Sequence, residues 1–146
     1  MTPQAATSRR RRAFTLVELM VVLTLVAILT VLSVPSFQRA MEHARADIAI
    51  ANLRAIWSAQ RLYWLEHHEY ASTLQTLIDN HLLDAAMENT AGGYDYDLDL
   101  TDSGFQAVAE RTGSSKWSGS FTIDETGVIS GSVSALGERE ITPGLQ

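Results

Sequence analysis

Apolar positions run almost unbroken from residue 13 to residue 34 (AFTLVELMVVLTLVAILTVLSV), and Glu18 is the one ionisable side chain among these 22 residues. At 1.5 Å per helical residue the stretch rises roughly 33 Å, against about 30 Å of bilayer hydrocarbon, so it is long enough to span a membrane. Residues 14–66 contain no glycine and a single proline, Pro35, and strong helix formers follow it. The pattern predicts one long helix, about 80 Å if continuous. Past Pro35, Phe37, Met41, Ala44 and Ile48 recur at four- and three-residue steps, as do Ile50, Leu53, Trp57 and Trp64. This half is therefore amphipathic and needs a surface to pack on. Pro35 removes a backbone donor and crowds the preceding turn, which predicts a kink or a locally loosened helix.

Residues 67–93 read as a connection with a short helix of its own at 73–83. Ser72 with Gln75 three residues on fits a capping box, and Leu74, Leu77, Ile78 and Leu82 supply the apolar face. After Gly92 and Gly93 the period changes to two: Tyr94, Tyr96, Leu98 and Leu100 alternate with Asp95, Asp97 and Asp99, as in a half-buried strand. Further strands are expected at 105–112, 120–124 and 128–133. A turn at 101–104, a loop at 113–119 and a tight turn at 125–127 separate them, which suits an antiparallel meander. The fold class is α+β, a long N-terminal helix packed on a four-stranded antiparallel sheet. Its parts are a leader at 1–13, a membrane-spanning helix half at 14–35, an amphipathic half at 36–66, the connection at 67–93, the sheet at 94–134 and a frayed tail at 135–146.

Charge separates the leader from the rest. The 146 residues carry a formal net charge of -6 and are 46% hydrophobic, averages that describe a mildly acidic soluble protein. All four charged residues of the leader are arginines, Arg9 to Arg12, and removing them from the total leaves -10 for the remainder. An acidic remainder argues against nucleic-acid binding, which needs clustered Lys and Arg. The arginines beside the apolar run read as a cytoplasmic topology signal. With no cysteine, disulfide scaffolds, thiolate zinc sites, iron–sulfur clusters and cysteine nucleophiles are excluded.

The acid inside the apolar run is the informative residue. A carboxylate at the bilayer centre costs about 2.5 to 3.5 kcal/mol on insertion scales, so an intramembrane acid calls for a partner, unless Glu18 lies close enough to the interface to reach water or headgroups. Arg-Arg-Ala-Phe-Thr-Leu-Val-Glu-Leu-Met-Val-Val-Leu, from Arg11 to Leu23, resembles the prepilin signature of type IV pilins and type II secretion pseudopilins. The resemblance is sharp over residues 9–35 and looser beyond. It implies cleavage between Ala13 and Phe14 by prepilin peptidase, N-methylation of the new Phe14 amine, and pairing of that amine with Glu18 of a neighbouring subunit. Pro35 falls where the family commonly has a proline; Ala13 stands where the family usually has glycine. Pairing an ammonium with a carboxylate in a low-dielectric layer removes a desolvation cost that each bears alone, and so gives assembly register and polarity.

The resemblance implies a structural subunit of a type IV pilus, or alternatively of a type II secretion pseudopilus. Its partners would be other pilin or pseudopilin subunits, membrane lipid before assembly, and an inner-membrane platform with its ATPase. Localisation would be the bacterial inner membrane, single-pass, with the C-terminal domain extracytoplasmic, and then the filament. Two further readings stay open: a single-pass anchored domain that does not polymerise, and a twin-arginine export signal around Ser8 to Phe14, which Glu18 interrupts.

The remaining chain offers little chemistry. His43, His67, His68 and His81 have no metal-pair spacing and read as solvated or capping residues. Asp95, Asp97, Asp99 and Asp102 invite a calcium reading, but Leu100 and Gln106 stand where an EF-hand loop needs Gly and Glu, so a solvated acidic face is favoured and no metal site is assigned. No cofactor is expected, and no catalytic constellation supports an enzyme. Tyr63, Trp64, Tyr70, Tyr94, Tyr96 and Trp117 read as core rather than as an adhesive surface.

Overall fold

The computed structural model describes residues 14–88 and 92–144, without the side chains of 31–36 and 88. Two compact units divide the chain, one up to Arg39 and one from Ala40. Helix α1 (Leu16–His67, 52 residues) contributes to both, and its helical assignment continues through Pro35. Helix α2 (Leu74–Asp79) and a 3-10 turn (Ala85–Glu88) follow. Four strands complete the head: β1 (Tyr94–Leu100), β2 (Phe105–Arg111), β3 (Trp117–Asp124) and β4 (Ile129–Ala135).

The sheet is an antiparallel meander in the order β1-β2-β3-β4, with Leu100 opposite Phe105, Gln106 opposite Asp124 and Ile123 opposite Ile129. Period-two alternation turns Tyr94, Leu98, Phe105, Ala107, Ala109, Phe121 and Ile123 inward onto α1. From the helix come Ala46, Ala49, Leu53, Ile56, Ala59 and Tyr63. Small residues from both elements let the bulky rings of Tyr94, Phe105 and Phe121 bury completely, each contributing about 1.5–3 kcal/mol. The β3–β4 turn closes with the Gly127 amide on the Asp124 carbonyl, and Trp57 Nε1 donates to the Glu125 carbonyl at 3.1 Å, which ties the turn to α1.

Several local expectations change. The stripe Phe37, Met41, Ala44, Ile48 is solvent-exposed, not packed on the sheet, because the sheet takes the face marked by Glu42, Ala46, Ala49 and Leu53. Of the second stripe Ile50 and Leu53 are buried, but Trp57 is half-buried and Trp64 exposed. Leu100, at the end of β1, is exposed too. The short helix is capped by Thr73, not Ser72: the Thr73 Oγ1 accepts the Thr76 amide at 3.3 Å, and α2 stops at Asp79. Strand β3 begins at Trp117, inside the expected loop, and β4 extends to Ala135.

The tail is not frayed. Val133 and Ile141 exchange backbone hydrogen bonds at 2.9 and 2.8 Å, and the Ile141 side chain is buried. This short bridge covers part of the β4 edge, which would otherwise present unpaired backbone groups.

Candidate functional site

Thr15 starts α1. Its Oγ1 accepts the Glu18 amide at 3.2 Å and its carbonyl accepts the Leu19 amide, which satisfies donors that a helix start leaves open. Glu18 thus stands in the first turn, where the helix dipole favours an anion. The Thr-x-x-Glu spacing is the sequence signal for this arrangement and could have been read beside the family motif. Phe14 is 78% exposed, and the large apolar side chains from Leu16 to Leu29 are all about half exposed or more. The hydroxyls of Thr24 and Thr30 turn back onto the Met20 and Val26 carbonyls, both at 2.7 Å. They therefore make no demand for water on an otherwise apolar helix surface.

Of the predicted site residues, Phe14 and Glu18 lie among the described residues, Ala13 lies outside them, and the Pro35 side chain lies outside them as well. Among the described residues no helix is long and apolar enough to cross a membrane; the expected span, residues 13–34, runs past the described side chains at both ends. Among the same residues no group of three or more His, Cys, Asp or Glu is placed to hold a metal ion. His67 stacks on Tyr63, and His68 and His81 take left-handed conformations where helical turns end. Of the aromatic set, Tyr63, Tyr94 and Trp117 are core and Tyr70 and Tyr96 pack against it, whereas Trp64 faces solvent.

Charge and amide chemistry that periodicity does not reveal anchors α1 to the head. Glu42 is buried and takes both the Nε and Nη2 of Arg111, the latter at 3.1 Å, with Arg45 Nη1 at 3.2 Å on the same carboxylate. Arg111 Nη1 also donates to the carbonyls of Gly93, at 2.7 Å, and Thr112. Gln60, fully buried, donates to the Ala71 carbonyl at 2.8 Å and accepts its amide at 2.9 Å, clipping the connection onto α1. A glutamate and a glutamine on an otherwise apolar helix face are the only sequence trace of these anchors.

Tyr94 lies beneath this cluster, its ring 5.5 Å from the Arg111 guanidinium carbon and its hydroxyl buried without a hydrogen-bond partner among the described residues. Burial, reinforced by the Glu42 carboxylate and opposed by Arg111, pushes its phenol from 10.0 up to about 12. Below pH 10 both folded and unfolded chains hold this proton, so the contribution to stability is complete. Between pH 10 and 12 the unfolded chain releases it first, and stability falls as pH rises. Tyr94→Phe is expected to leave stability at pH 7 within about 1 kcal/mol, because the lost hydroxyl had no partner. It should also flatten the alkaline fall, as read by urea denaturation across that pH range.

Residues 8–34 match the family described as the prokaryotic N-terminal methylation motif. The N-terminal segment of the chain carries that methylation motif. The chain is 34% identical over 62 residues to the type IV major pilin protein PilA of Myxococcus xanthus, covering 42% of this chain and 28% of that protein. It is 36% identical over 69 residues to the type II secretion system core protein G of Pseudomonas aeruginosa, covering 47% and 49%. With the type IV wide pilus major component PilA4 of Thermus thermophilus it shares 30% over 70 residues, covering 48% and 53%. The chain thus spans about half or less of the length of these relatives. No solved structure matches it. The similarity to these proteins therefore rests on the methylation motif at residues 8–34 and on alignments that cover less than half of this chain.

Proposed function

We propose that this chain is a structural subunit that is cut between Ala13 and Phe14 by prepilin peptidase, methylated at Phe14, and polymerised into a type IV pilus filament. The observation that carries the reading is the exposed apolar surface from Phe14 to Leu29, interrupted by one carboxylate and headed by the methylation motif. Exposed apolar surface of this extent marks a membrane or subunit contact. The head adds a second exposed apolar row on α1, with Met41, Ala44, Ile48, Ala51, Ala55, Leu62 and Leu65 at four-, three- and seven-residue steps, away from the core face. Lipid covers the first surface before assembly, and neighbouring subunits cover both afterwards. Residues 13–34 hold the subunit in the inner membrane, with the head extracytoplasmic. The weakened turn at Pro35 lets the two helix halves adjust. The assembly platform and its ATPase supply the work, and the chain itself catalyses nothing.

Similarity to the core protein G of several type II secretion systems supports a second reading, a subunit of a secretion pseudopilus. Mass spectrometry of the mature N-terminus tests what both readings share. A methylated Phe14 supports it, whereas an intact Met1 points to an unprocessed anchor and a start near Ser36 to an export signal. Glu18→Ala is expected to insert normally yet to enter filaments about a hundredfold less, since an amine left unpaired in the apolar layer costs about 2.5–3.5 kcal/mol. Sedimentation of sheared filaments measures this, and normal incorporation would sink the pairing.

A further inference from the structure

Arg54, Trp57, Arg61 and Trp64 follow one another on α1 at steps of three, four and three residues, which places them in one row. The Arg61 guanidinium lies 5.0 Å over the Trp57 ring. Arg54, Arg61 and Trp64 are exposed, and neither arginine has an acid within ion-pair distance among the described residues. Shallow depressions open along the row, one between Arg54, Trp57, Thr126 and Gly127 and another between Arg61, Trp64, Leu65 and Tyr70. In a head of strongly negative charge, this is a cationic and aromatic strip whose arginines make no ion pair among the described residues.

The outer face of β1 and β2 carries the opposite charge. Asp97, Asp99 and Glu110 are exposed, and Asp95 stands directly across from Glu110 in the strand register. Asp97 and Asp99 stand opposite Val108 and Gln106, so together with Glu110 they concentrate negative charge on one face of the sheet. Asp97 and Asp99 stand about 7 Å apart along the strand, and Arg54 and Arg61 about 10 Å apart along the helix. The difference is small beside the length of two arginine side chains.

We propose that the Arg54–Trp57–Arg61–Trp64 row receives Asp97 and Asp99 on the outer face of β1 from a second copy of this chain. The proposal rests on the subunit reading above and adds the head-to-head contact to it. The two surfaces are different patches of one head, so the contact is heterologous: each copy gives one and receives the other, and the contact can repeat along an open assembly. Trp57 and Trp64 supply apolar area beside the charges, and the acidic strand meets cations in place of its own like charges. Exposed pairs of this kind weaken with salt and set orientation more than affinity.

Single-cysteine variants test this on a clean background, because the chain contains no cysteine. Full-length Arg61→Cys and Asp97→Cys chains are co-expressed and mildly oxidised, and filaments are collected by sedimentation. The expected product is a mixed disulfide dimer holding one chain of each kind. Its yield falls about tenfold when Arg54→Glu is added to the first chain, and returns when Asp99→Lys is added to the second, as for reversed and restored charge steering. Filaments that sediment normally without the mixed dimer overturn this contact and leave the subunit reading standing. Absence of both filaments and dimer overturns both. Equal yield from Arg61→Cys with Ser132→Cys, on the hydroxyl half of the same sheet face, also overturns the contact, since it marks random collision.

Discussion

Arg111→Met is expected to destabilise the head by about 3–5 kcal/mol, the range for removing one partner of a buried ion pair. The Glu42 carboxylate, only 2% exposed, would keep Arg45 alone, and that side chain is 43% exposed and bound through one nitrogen. The Gly93 and Thr112 carbonyls lose the guanidinium at the same time, although Gly93 keeps the Thr112 amide at 3.0 Å. The loss should not reflect the worth of the pair itself, because replacing both partners removes the stranded charge. Glu42→Leu combined with Arg111→Met is therefore expected to recover most of the stability, to within about 1–2 kcal/mol of the parent. Urea denaturation of the full chain in detergent, followed by tryptophan fluorescence, measures all three, and a double variant as unstable as the single one would refute the argument. The functional consequence is one of placement. Glu42 is the first buried charged residue of the α1 segment in the head unit, and Arg111 ends β2. The pair fixes which turn of the helix faces the sheet, and hence which apolar row is left exposed.

Gly131→Ala is expected to cost about 3 kcal/mol or more. Gly131 sits in β4 opposite Phe121 at a φ of +99, which an L side chain adopts only under strain. A Cβ there would collide with the Ser120 carbonyl oxygen and lie 3.2 Å from the Phe121 Cα, both of them backbone atoms of the paired strand. Neither can rotate away, so β3 and β4 must separate. Gly137→Ala is the comparison: its φ is +78 but a Cβ meets nothing within 4 Å, so it bears the conformational term alone, about 1 kcal/mol. The difference between the two denaturation midpoints isolates the collision. Equal costs would mean that β4 yields freely at its edge and that the contact with β3 decides little.

The strands were legible because their side chains alternate strictly: Asp95, Asp97 and Asp99 could not point inward without being stranded in the core, so Tyr94 and Leu98 had to. The outward turn of Phe37, Met41 and Ile48 was not legible, because α1 carries apolar residues on more than one face and periodicity does not say which face meets the sheet. Buried Glu42 and Gln60 decide that, and their partners, Arg111 and the Ala71 backbone, stand 69 and 11 residues away in sequence. The capping-box spacing of Ser72 and Gln75 pointed to the wrong cap: Thr73 takes the extended conformation before α2 and accepts the Thr76 amide. Ile141 looked like part of a tail because one apolar residue among polar neighbours has no period, and only the open β4 edge gives it a place.

By itself the sequence determined the helix and the meander, because these follow from local spacing of 3.6 and 2 residues per repeat, and it carries the methylation motif in which Glu18 stands four residues past Phe14. Tertiary structure alone decided which helix face is core and which is left exposed. That choice depends on pairing a buried charge and a buried amide with groups far along the chain, and no local period records such a partner.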